Sequence, residues 1–108
     1  MVGAMADRPT GRSWTFLSNH AHVFICVVRD PGVRVRDIAL RVGITERAAS
    51  AILGDLEHGG YLSRHRVGRR NSYSVDLAQP LRHPLEDGQT VSDLLGVVIA
   101  SDLGRSLS

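Results

Sequence analysis

Two short amphipathic segments meeting at Gly43-Ile44-Thr45 constrain this chain more than any other feature. Before the junction, Arg36 to Val42 reads as a helix with Ile38, Ala39 and Val42 on one face. Beyond it, Ala49, Ile52, Leu53 and Leu56 fall at i, i+3, i+4 and i+7, which is one apolar helical stripe. Gly43 is a helix stop, since a glycine just past a C-terminus takes the left-handed conformation that closes it. Thr45 caps the second helix, with Glu46 in its first turn, and Gly59-Gly60 closes it. Two helices joined by so little chain cross sharply. Ala39 is small enough to let them approach, and Ile44 plugs the corner between them.

The flanking segments extend the pattern. Met1 to Gly11 is small and polar and reads as a disordered tail. Ser18 or Asn19 caps a first helix running to about Arg29. Its run Val23-Phe24-Ile25-Cys26-Val27-Val28 is apolar all round and rich in β-branched residues, so propensity alone allows a strand. The polar caps and the stop at Asp30-Pro31-Gly32 favour a helix. A helix apolar on every side is buried on more than one side, which places it centrally or at a dimer interface. Val33 to Val35 reads as a short extended segment. Tyr61 to Val67 and Ser72 to Leu77 read as strands joined by a Gly68-Arg69-Arg70-Asn71 turn. Tyr73, Val75 and Leu77 share one strand face. Pro80 and Pro84 break the next stretch into a loop. Thr90 or Ser92 then caps a last helix to about Leu103, with a stripe of Val91, Leu94, Leu95, Val98 and Leu103 and with Ile99 beside it.

Length and charge narrow the function. At 108 residues the chain makes one domain with one modest core. Its apolar runs, Val23 to Val28 and Leu94 to Ala100, fall short of the ~20 residues a membrane helix needs. Met1 to Arg12 lacks the apolar core of a secretory leader. The lone Cys26 sits in an apolar run and has no partner for an internal disulfide, which suits a reducing compartment. These features read as a cytoplasmic protein without a membrane partner. The net charge of +2 hides an asymmetry. Arg64, Arg66, Arg69, Arg70 and His65 fall between Tyr61 and Val75 with no acid among them, whereas Asp76, Glu86, Asp87, Asp93 and Asp102 outnumber the basic residues beyond the hairpin. Positive charge concentrated in one short segment is the footprint of a polyanion partner. All 13 basic residues are arginine, which suits planar contacts to phosphate and guanine.

The order helix, short extended segment, helix, turn, helix, hairpin, helix, with Asp37-Ile38-Ala39-Leu40-Arg41-Val42-Gly43-Ile44-Thr45 at its centre, is a helix-turn-helix followed by a wing. The fold class expected is mainly α with a two-stranded β wing, a winged helix-turn-helix with an added C-terminal helix. Residues 1–12 form the tail, 13–79 the winged domain, and 80–108 a loop plus a helix assigned to dimerisation. From about Trp14 to Leu77 the chain resembles the winged-helix module of MarR-like and ArsR-like bacterial regulators. Arg34-Val35-Arg36-Asp37-Ile38-Ala39, Gly43-Ile44-Thr45-Glu46-Arg47-Ala48, Asp55-Leu56-Glu57, Gly60-Tyr61-Leu62, Arg66-Val67-Gly68-Arg69-Arg70-Asn71 and Leu81-Arg82-His83-Pro84-Leu85-Glu86 resemble a group of short regulators within that set. The resemblance implies a transcription regulator, a repressor, binding double-stranded DNA. It implies DNA contact by Thr45, Arg47, Ala48, Ser50 and Ala51 in the recognition helix and by Arg66, Arg69, Arg70 and Asn71 in the wing. Where several such regulators carry basic or polar residues, this chain has Ala51, Gly54 and Asp55. Direct base readout therefore rests on Arg47 and Ser50, with an alanine methyl able to touch thymine. Affinity is expected to lean on phosphate contacts from the wing.

The first and last helices carry more apolar surface than a small domain hides, which predicts a two-fold homodimer through Phe24, Val28, Leu94, Leu95, Val98 and Ile99. No cofactor is implied. His20, His22 and Cys26 lack the second cysteine or acidic cluster of a metal site, and no metal is expected. No catalytic set is present: a Gly-x-Ser-x-Gly elbow, a phosphate-binding loop and spaced carboxylate pairs are all missing, so the chain is not read as an enzyme. Two rivals remain. One is a protein-interaction module that kept the scaffold without DNA readout. The other is a ligand-sensing regulator with a small apolar pocket between the first and last helices, its effector unknown.

Overall fold

The computed structural model describes residues 14–107, with side chains as far as residue 100. The tail assigned to residues 1–12 and the Leu103 side chain lie outside the described residues. The described chain folds as α1 (Asn19–Arg29), α2 (Val35–Val42), α3 (Glu46–His58), a hairpin of β1 (Leu62–Val67) and β2 (Arg70–Val75), a 3₁₀ turn (Pro84–Glu86), and α4 (Val91–Leu107). It is mainly helical with one antiparallel two-stranded sheet, the arrangement of a winged helix.

Several helix boundaries follow from a local donor or acceptor. Ser18 Oγ accepts from the Ala21 N–H and opens α1. Asp30 ends it, its N–H donating to the Cys26 carbonyl while its carboxylate accepts from the Gly32 N–H. The first helix is central: it packs against α2, α3, α4 and β2. Val23, Phe24, Ile25 and Val27 are buried, which explains why the run is apolar on all sides. Its neighbours within its own chain take up that surface.

Gly43 closes α2 at φ +85°, and both its N–H and that of Ile44 donate to the Ala39 carbonyl. Thr45 Oγ1 accepts from the Ala48 N–H at 3.0 Å and starts α3. That helix ends in a Schellman motif: the Gly60 N–H donates to Glu57, the Tyr61 N–H donates to Leu56, and Gly60 sits at φ +84°. The stripe Ala49, Ile52, Leu53 and Leu56 is buried as its spacing predicts.

Two details differ from the sequence reading. The hairpin turn has two residues, Gly68-Arg69, and Arg70 and Asn71 belong to β2, opposite Val67 and Arg66. Gly68 at φ +64° supplies the left-handed first position that a two-residue turn favours. Val33 to Val35 forms no strand. Val33 is buried, α2 already starts at Val35, and β2 meets the turn before it through the Tyr73 N–H donating to the Pro31 carbonyl and the Arg70 guanidinium donating to the Gly32 carbonyl.

The loop after the hairpin is tied down by its backbone. Pro80 bridges Thr90, the Leu81 N–H donates to Gln89, and the Val91 N–H donates to Gln79. A reciprocal capping box opens α4, with Thr90 Oγ1 accepting from the Asp93 N–H and the Asp93 carboxylate accepting from the Thr90 N–H. Val91, Leu95 and Ile99 bury against the core, so the inward face of α4 is this i, i+4, i+8 row, and Leu94 stays half-exposed. No helix among the described residues is long and apolar enough to cross a membrane.

Candidate nucleic-acid interface

Burial of one stripe of α3 forces the opposite stripe outward. Arg47, Ser50, Ala51 and Gly54, at i, i+3, i+4 and i+7, are all exposed. Arg47 has no ion-pair partner among the described residues, so its guanidinium is available. Thr45 is exposed, but its oxygen is engaged as the helix cap. Ala48 is half-buried and presents little surface. Two acids in the second half of α3 have side-chain partners within the protein. Asp55 Oδ2 lies 2.8 Å from His20 Nε2, and Glu57 Oε1 lies 3.4 Å from Arg64. Arg64 thus offsets the charge of Glu57, and Glu46 is the acid in the first turn of this helix.

Register sorts the arginines of the hairpin into different roles. Opposed residues share a face, so Leu62 and Val75, Arg64 and Tyr73, and Arg66 and Asn71 lie on one side. Arg64 is held inward, its guanidinium 5.9 Å from the centre of the Tyr73 ring while it pairs with Glu57. Arg70 anchors the hairpin, donating to the Gly32 carbonyl at 3.0 Å. Arg66 and Arg69 are exposed and have no partner among the described residues. Asn71 is half-buried.

Arg69, Arg70 and Asn71 converge with Arg34 on a cleft of about 310 Å³ beside the start of α2. Arg34 occupies the N-cap position without a side-chain cap, so the N–H donors of the first turn point outward unclaimed by a side chain. The one acid in that turn is Asp37. Three guanidinium groups around the positive end of a helix form an anion-attracting concavity. Arg34 was not among the DNA-contact positions expected from the sequence. The sequence put the helix start at Arg36, one residue later than it stands, and the closeness of Arg34 to the hairpin is a tertiary fact.

The positions expected to form a dimer divide differently. Phe24, Leu95 and Ile99 are 2–3% exposed and belong to the core of their own protomer, which corrects their assignment as partner contacts. Val28, Leu94 and Val98 keep accessible surface. Trp14, Phe16, Leu40, Leu85 and Val97 are further strongly exposed apolar side chains. Among the described residues no three of His, Cys, Asp and Glu gather as a metal site. Cys26 lies with His22, Arg29 and Arg41 along a cleft between α1 and α2, and burial pushes its thiol pKa up, against the pull of Arg41 and Arg29. Compared with known proteins, the chain matches no family model and no curated sequence.

Proposed function

We propose that the protein binds double-stranded DNA through the exposed edge of α3 and the hairpin, and acts as a homodimeric transcription regulator, a repressor by its resemblance to MarR-like and ArsR-like proteins. The observation that carries this reading is the cleft where Arg34, Arg69 and Arg70 meet beside an uncapped helix start, next to a hairpin whose Arg66 is unpaired among the described residues. An anionic backbone satisfies all of these groups at once. The edge of α3 adds Arg47 as a reader of guanine and Ser50 as a weaker one, so sequence preference per protomer is modest. A two-fold dimer through Val28, Leu94 and Val98 would set two recognition helices about 34 Å apart and double the contacts.

Fluorescence anisotropy with labelled duplexes tests the reading. Arg69→Ala weakens binding to every sequence alike and lowers the salt slope by about 1 for each phosphate it no longer neutralises. Arg47→Ala relaxes preference at one base pair, by about 1–3 kcal/mol. An unchanged affinity in Arg69→Ala counts against the hairpin as a contact. The exposed methyl of Ala51 and the bare Gly54 favour one rival, an interaction module without DNA readout. Selection from a random duplex pool separates the two: an enriched motif supports the regulator, and none favours the module.

A further inference from the structure

The hairpin projects from the body of the protein, and hydrogen bonds hold it at two places. Its base is tied beside the end of α3: the Tyr61 N–H donates to the Leu56 carbonyl, the Asp76 N–H to the Tyr61 carbonyl, and the Tyr61 hydroxyl to the Pro80 carbonyl. On the β2 side, the Tyr73 N–H and the Arg70 guanidinium hold it to Pro31 and Gly32. The hold on α3 beyond the base comes from Arg64. Its guanidinium pairs with Glu57 Oε1 at 3.4 Å, in the last turn of α3. The same guanidinium lies 5.9 Å from the centre of the ring of Tyr73, the buried residue opposite it on β2. One side chain thus touches α3 and both strands. A cation engaged by a carboxylate and a ring face has less to offer a phosphate. The strand runs on from Arg64 to the turn at Gly68, about 13 Å at ~3.3 Å per residue, so a small swing at Arg64 grows toward Arg66 and Arg69.

We propose that Arg64 is a positioning residue: it neutralises no phosphate itself but sets the angle of the hairpin to α3, so that Arg66 and Arg69 reach the backbone of the duplex that α3 meets. This rests on the DNA-binding reading above and divides the labour among the hairpin arginines. It also gives Glu57 a sign that charge alone does not. Removing an acid from a helix that faces a polyanion tightens binding if only charge counts. If Glu57 holds Arg64, removing it loosens the hairpin and weakens binding.

Fluorescence anisotropy of the full chain with a labelled duplex, followed across salt, reads both effects. Arg64→Ala weakens binding about three- to tenfold and keeps the wild-type salt slope. Glu57→Gln weakens it about two- to fourfold, and in the Arg64→Ala background it weakens nothing further, because the contact is already gone. Both side chains are partly exposed, so neither change threatens the fold. Unchanged affinity in Arg64→Ala, unchanged or tighter binding in Glu57→Gln, or a slope lowered by about 1 in Arg64→Ala, as loss of a phosphate contact requires, overturns the proposal.

A second readout needs no DNA. Nitroxide labels at Ala51→Cys on α3 and Val67→Cys on the hairpin, both exposed positions, are placed in a Cys26→Ser chain. Electron–electron double resonance then gives the spread of distances between the two elements. The spread widens in Arg64→Ala and in Glu57→Gln and stays as it was in Arg66→Ala. An unchanged spread in Arg64→Ala overturns the positioning role. A widened spread in a chain that binds no duplex upholds the hold on the hairpin and fails the DNA reading alone.

Discussion

Two glycines show how one residue type carries opposite constraints. Gly43 stands at φ +85° with open space where a Cβ would go, so the backbone alone sets the cost of a side chain there. Gly43→Ala therefore destabilises by about 1–2 kcal/mol. Gly54 lies inside α3 at ordinary helical φ, again with open space around it. Gly54→Ala therefore stabilises by about 0.5–1 kcal/mol through helix propensity. Urea denaturation of the pair reads both signs. Tyr61 makes a pH prediction. Burial raises its pKa above the ordinary tyrosine value, with Arg82 opposing and Glu86 adding to the rise. The unfolded chain then loses the phenolic proton first, so the contribution is full below the unfolded pKa and is lost as pH climbs through the folded one. Thermal stability falls above about pH 10, and the fall is shallower in Tyr61→Phe.

At the level of elements, the sequence was most legible where a period and a cap agreed. The stripe of α3, the Thr45 cap and the Gly43 stop all stand where spacing put them. The hairpin was less legible, because Asn71 is a turn-former by type while its place opposite Arg66 depends on pairing register. Val33 was also ambiguous: a β-branched residue between turn and helix suits a strand, yet here it is a buried plug that needs no ladder. Tertiary packing also decided the roles of the arginines. Arg70 holds the hairpin to Gly32, while Arg69 beside it has no partner among the described residues. Arg70→Ala is expected to cost about 0.5–1 kcal/mol and Arg69→Ala almost nothing, by thermal denaturation. Their effects on DNA affinity are expected to be alike, so charge and anchoring separate in the comparison.

For the molecule as a whole, helix-turn-helix order was visible in one dimension, but the seat of the last helix was not. An apolar stripe looks the same whether it faces its own core or a second chain. The structure turns Val91, Leu95 and Ile99 inward and leaves accessible surface at Val28, Leu94 and Val98, the positions through which we propose a dimer. Val98→Asp is expected to shift a dimer toward monomer in sedimentation velocity and to lower cooperative binding to paired half-sites. A cavity walled by α1, α3 and α4 was expected only as a pocket between the end helices, because its rim also takes in the loop around Arg82. The claim on which the rest depends is that the hairpin and the start of α2 form one phosphate-binding surface. Its most direct test is wild-type affinity for a duplex of about 30 base pairs, followed from 50 to 200 mM salt. The expected result is a straight line of log K against log salt falling ~10³–10⁵-fold, as two protomers neutralising about 6–10 phosphates require. A flat line, or no binding at the lowest salt, would contradict it.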